Sequence, residues 1–187
     1  FKEENFNKAW KFFDGRLDEE SFIFKNNTYD LIKDKLLNQR KIDPTKSLLI
    51  IREQGVGDEI LYGSIYKDVL ENCDNVYIEA DERLIELFVN SFGKNYSKNF
   101  KKFGFFSQNK KNFENIDQVL YAGSLGYYYR RSPLDFSKNG YLKINQNMIN
   151  KTKEELIDYN KKFKIGVSWK SINNKYAEQK SLSLKKI

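Results

Sequence analysis

The sequence predicts an α/β fold, built on a parallel sheet with flanking helices. Residues 48–51, LLII, form a short continuous apolar run of the kind found in a strand that is buried on both faces. Between residues 47 and 121, strand-like and helix-like segments alternate, which is typical of parallel strands joined by helical crossovers. We therefore expect at least four parallel strands with 48–51 central, helices on both faces, and Leu49 and Ile51 almost fully buried.

A helix and a linker are expected ahead of the sheet. Phe6, Trp10 and Phe13 recur at helical spacing, and Gly15 is expected to end this helix. Residues 21–27 give no clear signal, and residues 31–39 fit either a short helix or an extended linker. Asp43 and the proline after it indicate a turn into the first strand.

Residues 54–58, QGVGD, are predicted to form a glycine turn that leads from the first strand into a helix. We expect Gly55 and Gly57 to adopt backbone angles closed to other residues and to let a ligand approach the main chain. Asp58 is expected to be the N-cap of the helix. Open α/β sheets bind ligands at such junctions. The turn lacks the lysine of a P-loop and the third glycine of a dinucleotide-binding motif.

The acids that end this turn limit the kind of ligand it can bind. Asp58 and Glu59 would repel a phosphate, whereas a carboxylate suits a hydroxyl-bearing ligand or the abstraction of a proton. The alternative is that Asp58 only caps a helix, and the residue types by themselves leave both interpretations open.

The alternation of elements continues after the turn. A helix with an apolar face extends to about residue 72, a second strand covers 75–79, and a helix runs from Asp81 to Gly93. Third and fourth strands are predicted at 103–107 and 117–121. A second glycine-rich turn follows at 122–126. Its Gly123 and Ser124 either line the same cleft as the first turn or form a plain strand-to-helix connection.

The last third of the chain is predicted to begin a second α/β unit. Residues 133–140 read as a loop, and residues 147–162 as a helix. A buried strand is expected at 164–170, and a further helix begins at Ser181.

Lysines and aromatic rings are interleaved between residues 87 and 113, where no acid occurs. One interpretation is a surface that stacks single-stranded nucleic acid. The favoured alternative is a strand with its rings in the core and its lysines in water.

The composition limits the function classes. The formal net charge is +7, but only six of the 33 basic residues are arginine, the better reader of phosphates and bases. Asn, Ile, Phe and Tyr share AT-rich codons with Lys, so we interpret the charge as background and expect no nucleic-acid partner. One Cys and no His predict no disulfide and no metal. No apolar run spans a membrane and no signal peptide is recognised, which favours a cytoplasmic setting.

Four stretches together resemble a known family. They are the aromatic helix at 6–17, the EQGVGDE turn at 53–59, Tyr141-Leu142, and GVSW at 166–169 followed by KSLSL at 180–184. The chain resembles bacterial tetratricopeptide-repeat glycosyltransferases, whose catalytic part is similar to heptosyltransferases and, more distantly, to protein O-GlcNAc transferases. The resemblance implies twin Rossmann-like domains with the active site between them.

The resemblance also implies domain limits and roles. Residues 1–43 would be a terminal repeat-like helix and linker, 44–146 the acceptor-side domain, and 147–187 a linker helix with the start of the donor-side domain. Asp58 would be the general base for a protein or glycan acceptor, beside Gln54, Gly55, Gly57 and Glu59. The donor is implied to be a nucleotide-sugar, bound at its diphosphate by Ser168, Trp169, Lys170, Lys180 and Ser181. No metal or other cofactor is implied, and upstream repeats would bind proteins.

The rival interpretation is a binding module without catalysis. It would either keep the fold and lack the chemistry, or bind single-stranded nucleic acid through residues 87–113. A steep dependence of binding on salt would separate phosphate contacts from sugar contacts. Because the donor-side domain only begins in this sequence, we expect the chain alone to bind nucleotide-sugars weakly or not at all.

Overall fold

A computed structural model describes residues 5–17, 32–102, 113–159, 162–163, 165, 167 and 181. By its internal contacts the chain divides into two compact units, residues 1–145 and 146–187. The division into three segments at 43 and 146 stays a prediction.

The first unit contains a four-stranded, all-parallel sheet. The strands are β1 (Leu48–Ile51), β2 (Val76–Ala80), β3 (Phe100–Lys102) and β4 (Gln118–Tyr121), in the order β3-β2-β1-β4. This confirms the predicted Rossmann-like α/β class. Leu49 is 0% exposed and Ile51 is 9% exposed, as expected for an inner strand with both faces covered.

One face of the sheet is covered by α-helices. They are α1 (Phe6–Phe13), α2 (Val56–Gly63), α3 (Tyr66–Asn72), α4 (Glu82–Phe92) and α5 (Leu125–Tyr129). They pack around Leu48, Ile50 and Ile78.

The opposite face of the sheet, which includes Leu49 and Val119, is covered differently. Ile32 and Leu36, which flank the 3₁₀ turn Lys33–Lys35, pack there with Phe113 and Ile116. Ile32 is itself helical, so helical residues lie on this face as well, and the sheet is flanked by helices as predicted.

Local capping signals set the limits of α4. Asp81 is its N-cap and accepts a hydrogen bond from the Arg83 N–H, and Gly93 ends it with φ 113°. The helix predicted to run to residue 72 is instead two helices, because the chain breaks at Ser64. The Ser64 hydroxyl donates to the Leu61 carbonyl, a local bond that competes with helix continuation.

β3 begins at Phe100, three residues before the strand predicted at 103–107, and residues 103–112 lie outside the described ranges. Phe100 stacks on Phe92 and packs against Phe88 and Tyr66. The start of the strand is decided by this aromatic cluster on α3 and α4, which the strand's own residues do not reveal.

The second unit differs most from its prediction. Its helix α6 covers Gln146–Glu155 and is followed by the 3₁₀ turn Ile157–Tyr159, so it is shorter than predicted. Ile165 and Val167 are exposed and belong to no strand, so the buried strand predicted at 164–170 is wrong at these two positions. A parallel strand needs a neighbour, and none of the unit's described residues forms a strand.

None of the helices in the described ranges is both long enough and apolar enough to span a bilayer.

Candidate functional site

The candidate site lies at the carboxyl ends of β1 and β4. The chain passes from β1 to β2 on one side, whereas β4 pairs with β1 on the other side. The strand order therefore reverses between β1 and β4, and the crevice at such a point is the usual ligand site of an open α/β sheet. Two connections meet there: residues 52–55 after β1 and the 3₁₀ turn Ala122–Ser124 after β4.

Gln54, and not a glycine, has the unusual backbone conformation in the first turn. Its φ is 62°, in the left-handed region that few non-glycine residues adopt. Gly55 has φ −104° and Gly57 lies inside α2, so the expectation that the glycines supply special angles is wrong. The Gln54 side-chain oxygen accepts a long hydrogen bond, 3.4 Å, from the Tyr62 hydroxyl.

The two glycines instead leave the backbone uncovered. A Cβ added at Gly57 would meet no atom within 4 Å, and one at Gly55 would meet only an Asp58 carboxylate oxygen, at 3.5 Å. Both glycines are exposed. The packing does not require glycine here, and the missing side chains give a ligand access to the main chain.

Asp58 is the third residue of α2. The helix begins at Val56 with Gly55 as its N-cap, so the expectation that Asp58 is the N-cap is wrong by three positions. Its Oδ2 still accepts a hydrogen bond of 3.0 Å from the Gly55 N–H, and its charge is favourable near a helix N-terminus. Asp58 is half-buried, and none of the described residues bonds to its other oxygen.

Glu59 faces inward, away from the turn's surface. Its side chain is fully buried, with Oε1 2.7 Å from Arg52 Nε and Oε2 accepting from the Asp81 N–H at 2.9 Å. Burial raises the pKa of Glu59, against the lowering effects of the Asp81 hydrogen bond and the Arg52 charge. Glu59 thus links the ends of β1 and β2 and is out of reach of a ligand on the surface.

Gly123 and Ser124 do meet the first turn, but as buried residues around Glu53. The Gly123 N–H donates to the Glu53 carboxylate, and a Cβ at Gly123 would lie 2.6 Å from it. Ser124 donates to Asp14 and accepts from Arg16. The structure thus brings the two turns together as a packed strand-to-helix connection, and the side chain of Arg16 fills the space between them.

Sequence reasoning did not include Arg16 or Glu53 in the site. They are 37 residues apart and form a two-bond ion pair, at 2.9 and 2.7 Å. No local pattern predicts a pairing over that distance. The signal that could have found Arg16 is its residue type, because arginine is rare in this lysine-rich chain and suits buried, two-pronged pairing with a carboxylate.

The structure describes only one of the predicted donor-binding residues. Ser168, Trp169, Lys170 and Lys180 lie outside the described residues, and Ser181 is half-buried in no regular element. Within the described ranges, no group of three or more Cys, Asp or Glu residues is placed to hold a metal ion. The donor site stays a prediction.

The candidate site is thus an exposed acid-bearing turn beside a closed crevice. Comparison of the chain with protein families, with curated proteins and with solved structures gave no match.

Proposed function

We propose that this chain belongs to a glycosyltransferase that transfers a sugar from a nucleotide-sugar donor to an acceptor hydroxyl, with Asp58 as general base. One observation carries the proposal: a carboxylate with one oxygen that bonds to none of the described residues lies on a surface turn at the carboxyl edge of a parallel sheet, beside uncovered backbone. A hydroxyl-bearing ligand at the turn could approach the Asp58 carboxylate, because no side chain at Gly55 or Gly57 blocks it.

The proposed chemistry needs one proton transfer. Asp58 accepts the proton of the acceptor hydroxyl while that oxygen bonds to the anomeric carbon of the sugar. The bond from that carbon to the donor phosphate breaks, and the nucleotide leaves with the electron pair. Lys170 and Lys180 are proposed to offset the charge that develops on this leaving group. Gln54, Gly55 and Gly57 border the acceptor.

The finer parts of the proposal come from the resemblance. They are a protein or glycan acceptor, a bacterial, cytoplasmic setting, and repeats upstream of α1 that bind proteins. The aromatic helix that the resemblance treats as a repeat ending is present as α1, with Trp10 half-buried.

The test is to substitute Asp58→Asn in the full-length natural polypeptide and to measure nucleotide release from UDP-, GDP-, ADP- and CMP-sugars, with water as the acceptor. Asn can accept the same Gly55 hydrogen bond, so the free energy of unfolding should change by less than about 1 kcal/mol. Loss of the base should slow release about a hundredfold or more.

Asp74→Asn is the matched control, since it removes the same charge from an exposed acid at the end of α3. It should change neither stability nor turnover. The absence of nucleotide release with every donor would reject the glycosyltransferase. Equal release by Asp58→Asn and the parent protein would leave Asp58 as a helix-capping group.

A further inference from the structure

Arg16 occupies the crevice between β1 and β4 where a ligand of an open α/β sheet is expected. Its side chain is 13% exposed, and its Nε and one Nη bond to the two carboxylate oxygens of Glu53. Such a planar, two-bond pair has one preferred geometry, so Arg16 fixes the orientation of the Glu53 carboxylate and also neutralises its charge. The Glu53 side chain is 1% exposed, so the pair is shielded from water.

The other donors of Arg16 are also in use. One Nη donates to the Phe13 carbonyl at 3.1 Å and to the Asp14 carboxylate at 2.8 Å, and the second Nη donates to the Ser124 hydroxyl at 3.0 Å. An arginine has five N–H groups, and these contacts use all of them. Arg16 is therefore a part of the packing and has no donor left for an anionic ligand.

α1 delivers Arg16 to this place. The Trp10 ring lies directly against Gly126 of α5, where a Cβ would overlap the indole, and Trp10 Nε1 donates to the Arg130 carbonyl. The guanidinium of Arg16 lies 4.3 Å from the centroid of the Phe13 ring. α1 and the 3₁₀ turn Asp14–Leu17 that follows it are thus fastened to the sheet domain at two points.

Glu53 connects this packing to the candidate site. It immediately precedes Gln54, whose left-handed φ of 62° sets the direction in which the chain leaves β1. A conformation of that kind persists when its surroundings hold it. The Glu53 carboxylate is held by Arg16 on one side and by the Gly123 N–H on the other.

We propose that Arg16 is a positioning residue for the turn at 54–58. By filling the crevice and holding both oxygens of Glu53, it fixes Gln54 in the left-handed conformation and aims the start of α2, with Asp58, at the surface. Its effect on the turn is independent of the reaction, and its effect on turnover rests on the proposed function.

The experiment compares amide hydrogen exchange in Arg16→Lys and in the parent chain. Lysine keeps the charge but lacks the two-pronged geometry. Two amides report on the turn: the Gly55 N–H, bonded to Asp58, and the Glu59 N–H, bonded to the Gly55 carbonyl. Ile50, inside β1, reports on the whole domain. We expect exchange at the two turn amides to accelerate about tenfold more than at Ile50, since local opening precedes global unfolding.

Arg130→Lys is the control, because Arg130 is also buried and ion-paired, with Asp68, but does not contact the turn. It should leave the ratio of turn to Ile50 exchange unchanged. If Arg16→Lys fails to fold, Glu53→Gln weakens the same pair at constant size and is measured in the same way. Acceleration by one common factor at all three amides would overturn the proposal, as would unchanged exchange at the turn.

A kinetic measurement separates this proposal from the proposed function. In the full-length polypeptide, Arg16→Lys should lower kcat for nucleotide release about tenfold. It should leave KM for the nucleotide-sugar unchanged, since Arg16 is not proposed to contact the nucleotide-sugar. If no nucleotide is released from any donor, or if Asp58→Asn retains full activity, while the exchange difference persists, the proposed function or its base fails and the positioning role stands. If Asp58→Asn is impaired but exchange in Arg16→Lys is uniform, the positioning role fails.

Discussion

Tyr66 is a fully buried residue whose hydroxyl group lacks a hydrogen-bond partner among the described residues. Its ring contacts Phe88, Phe92 and Phe100. Burial raises its pKa well above the usual range of tyrosine, so the hydroxyl stays protonated. A buried donor without a partner costs free energy, and Tyr66 is therefore a site at which the fold is not optimal.

We predict that Tyr66→Phe raises the free energy of unfolding by about 1 kcal/mol, because it removes the unsatisfied hydroxyl and keeps the ring. Tyr141→Phe is the matched control: the Tyr141 hydroxyl donates to the Ile60 carbonyl, so its loss should lower stability by about 1 kcal/mol. Denaturant unfolding of both variants measures the two changes. A loss of stability in Tyr66→Phe would mean that the hydroxyl has a partner.

At the scale of the element, Asp81 both caps the N-terminus of α4 and forms ion pairs with Arg52 and Arg83. The Asp81 carboxylate accepts from the side chain and N–H of Arg83 and from the Arg52 side chain. The Arg83 hydrogen bond is the largest cause of a strongly lowered pKa at Asp81. A lowered folded-state pKa means that the ionised form stabilises the fold, fully so above the ordinary aspartate pKa.

We predict that Asp81→Asn lowers the melting temperature at neutral pH. Because Asn caps about as well as Asp, the loss reports on the charge and not on the cap. The deficit should shrink as the pH falls from the ordinary pKa of aspartate, about 4, toward the lowered pKa of folded Asp81, because the unfolded parent chain then gains a proton that folded Asp81 does not. The Asp81 charge is one cause of the raised pKa of Glu59, so its removal favours the ionised Glu59 and offsets a part of the loss. Thermal unfolding from pH 7 to pH 2 measures the deficit, and a constant difference would exclude the ion-pair cause.

At the scale of the whole molecule, the net charge of +7 and the aromatic segment invite a nucleic-acid interpretation. The rings described in that segment argue against it. Phe88, Phe100 and Phe113 are buried, and Phe92 packs on the main core. A base-stacking surface needs exposed rings, and these are turned into the protein.

We therefore predict that a 20-nucleotide oligo(dT) binds with a dissociation constant no tighter than about 10⁻⁶ M at about 150 mM salt, since non-specific charge contacts give about 10⁻⁴–10⁻⁶ M. Fluorescence anisotropy over a salt series is the measurement. Submicromolar affinity with a steep salt slope would support the nucleic-acid module.

The parallel sheet, the limits of β1 and the two ends of α4 could be predicted from the sequence. Each has a local signal: an unbroken apolar run for β1, Asp81 at the start of α4 and Gly93 at its end. These signals suffice because burial on both faces and helix capping are properties of a few adjacent residues. The position of the candidate turn after β1 could also be predicted, because the glycines that mark it directly follow the apolar run.

Only the tertiary structure decided what each residue of the turn does. Gln54 takes the left-handed conformation expected of a glycine, Glu59 is buried against Asp81, 22 residues away, and Arg16 closes the crevice by pairing with Glu53. The sequence by itself determined that β1, β2, β4 and α4 form where they do, because their periodicity is local. The conformation of the turn depends on the charges of Arg16 and Glu53, which come together only after the sheet has formed. The free energy of this ion pair depends on its burial, and several segments of the chain together produce that burial.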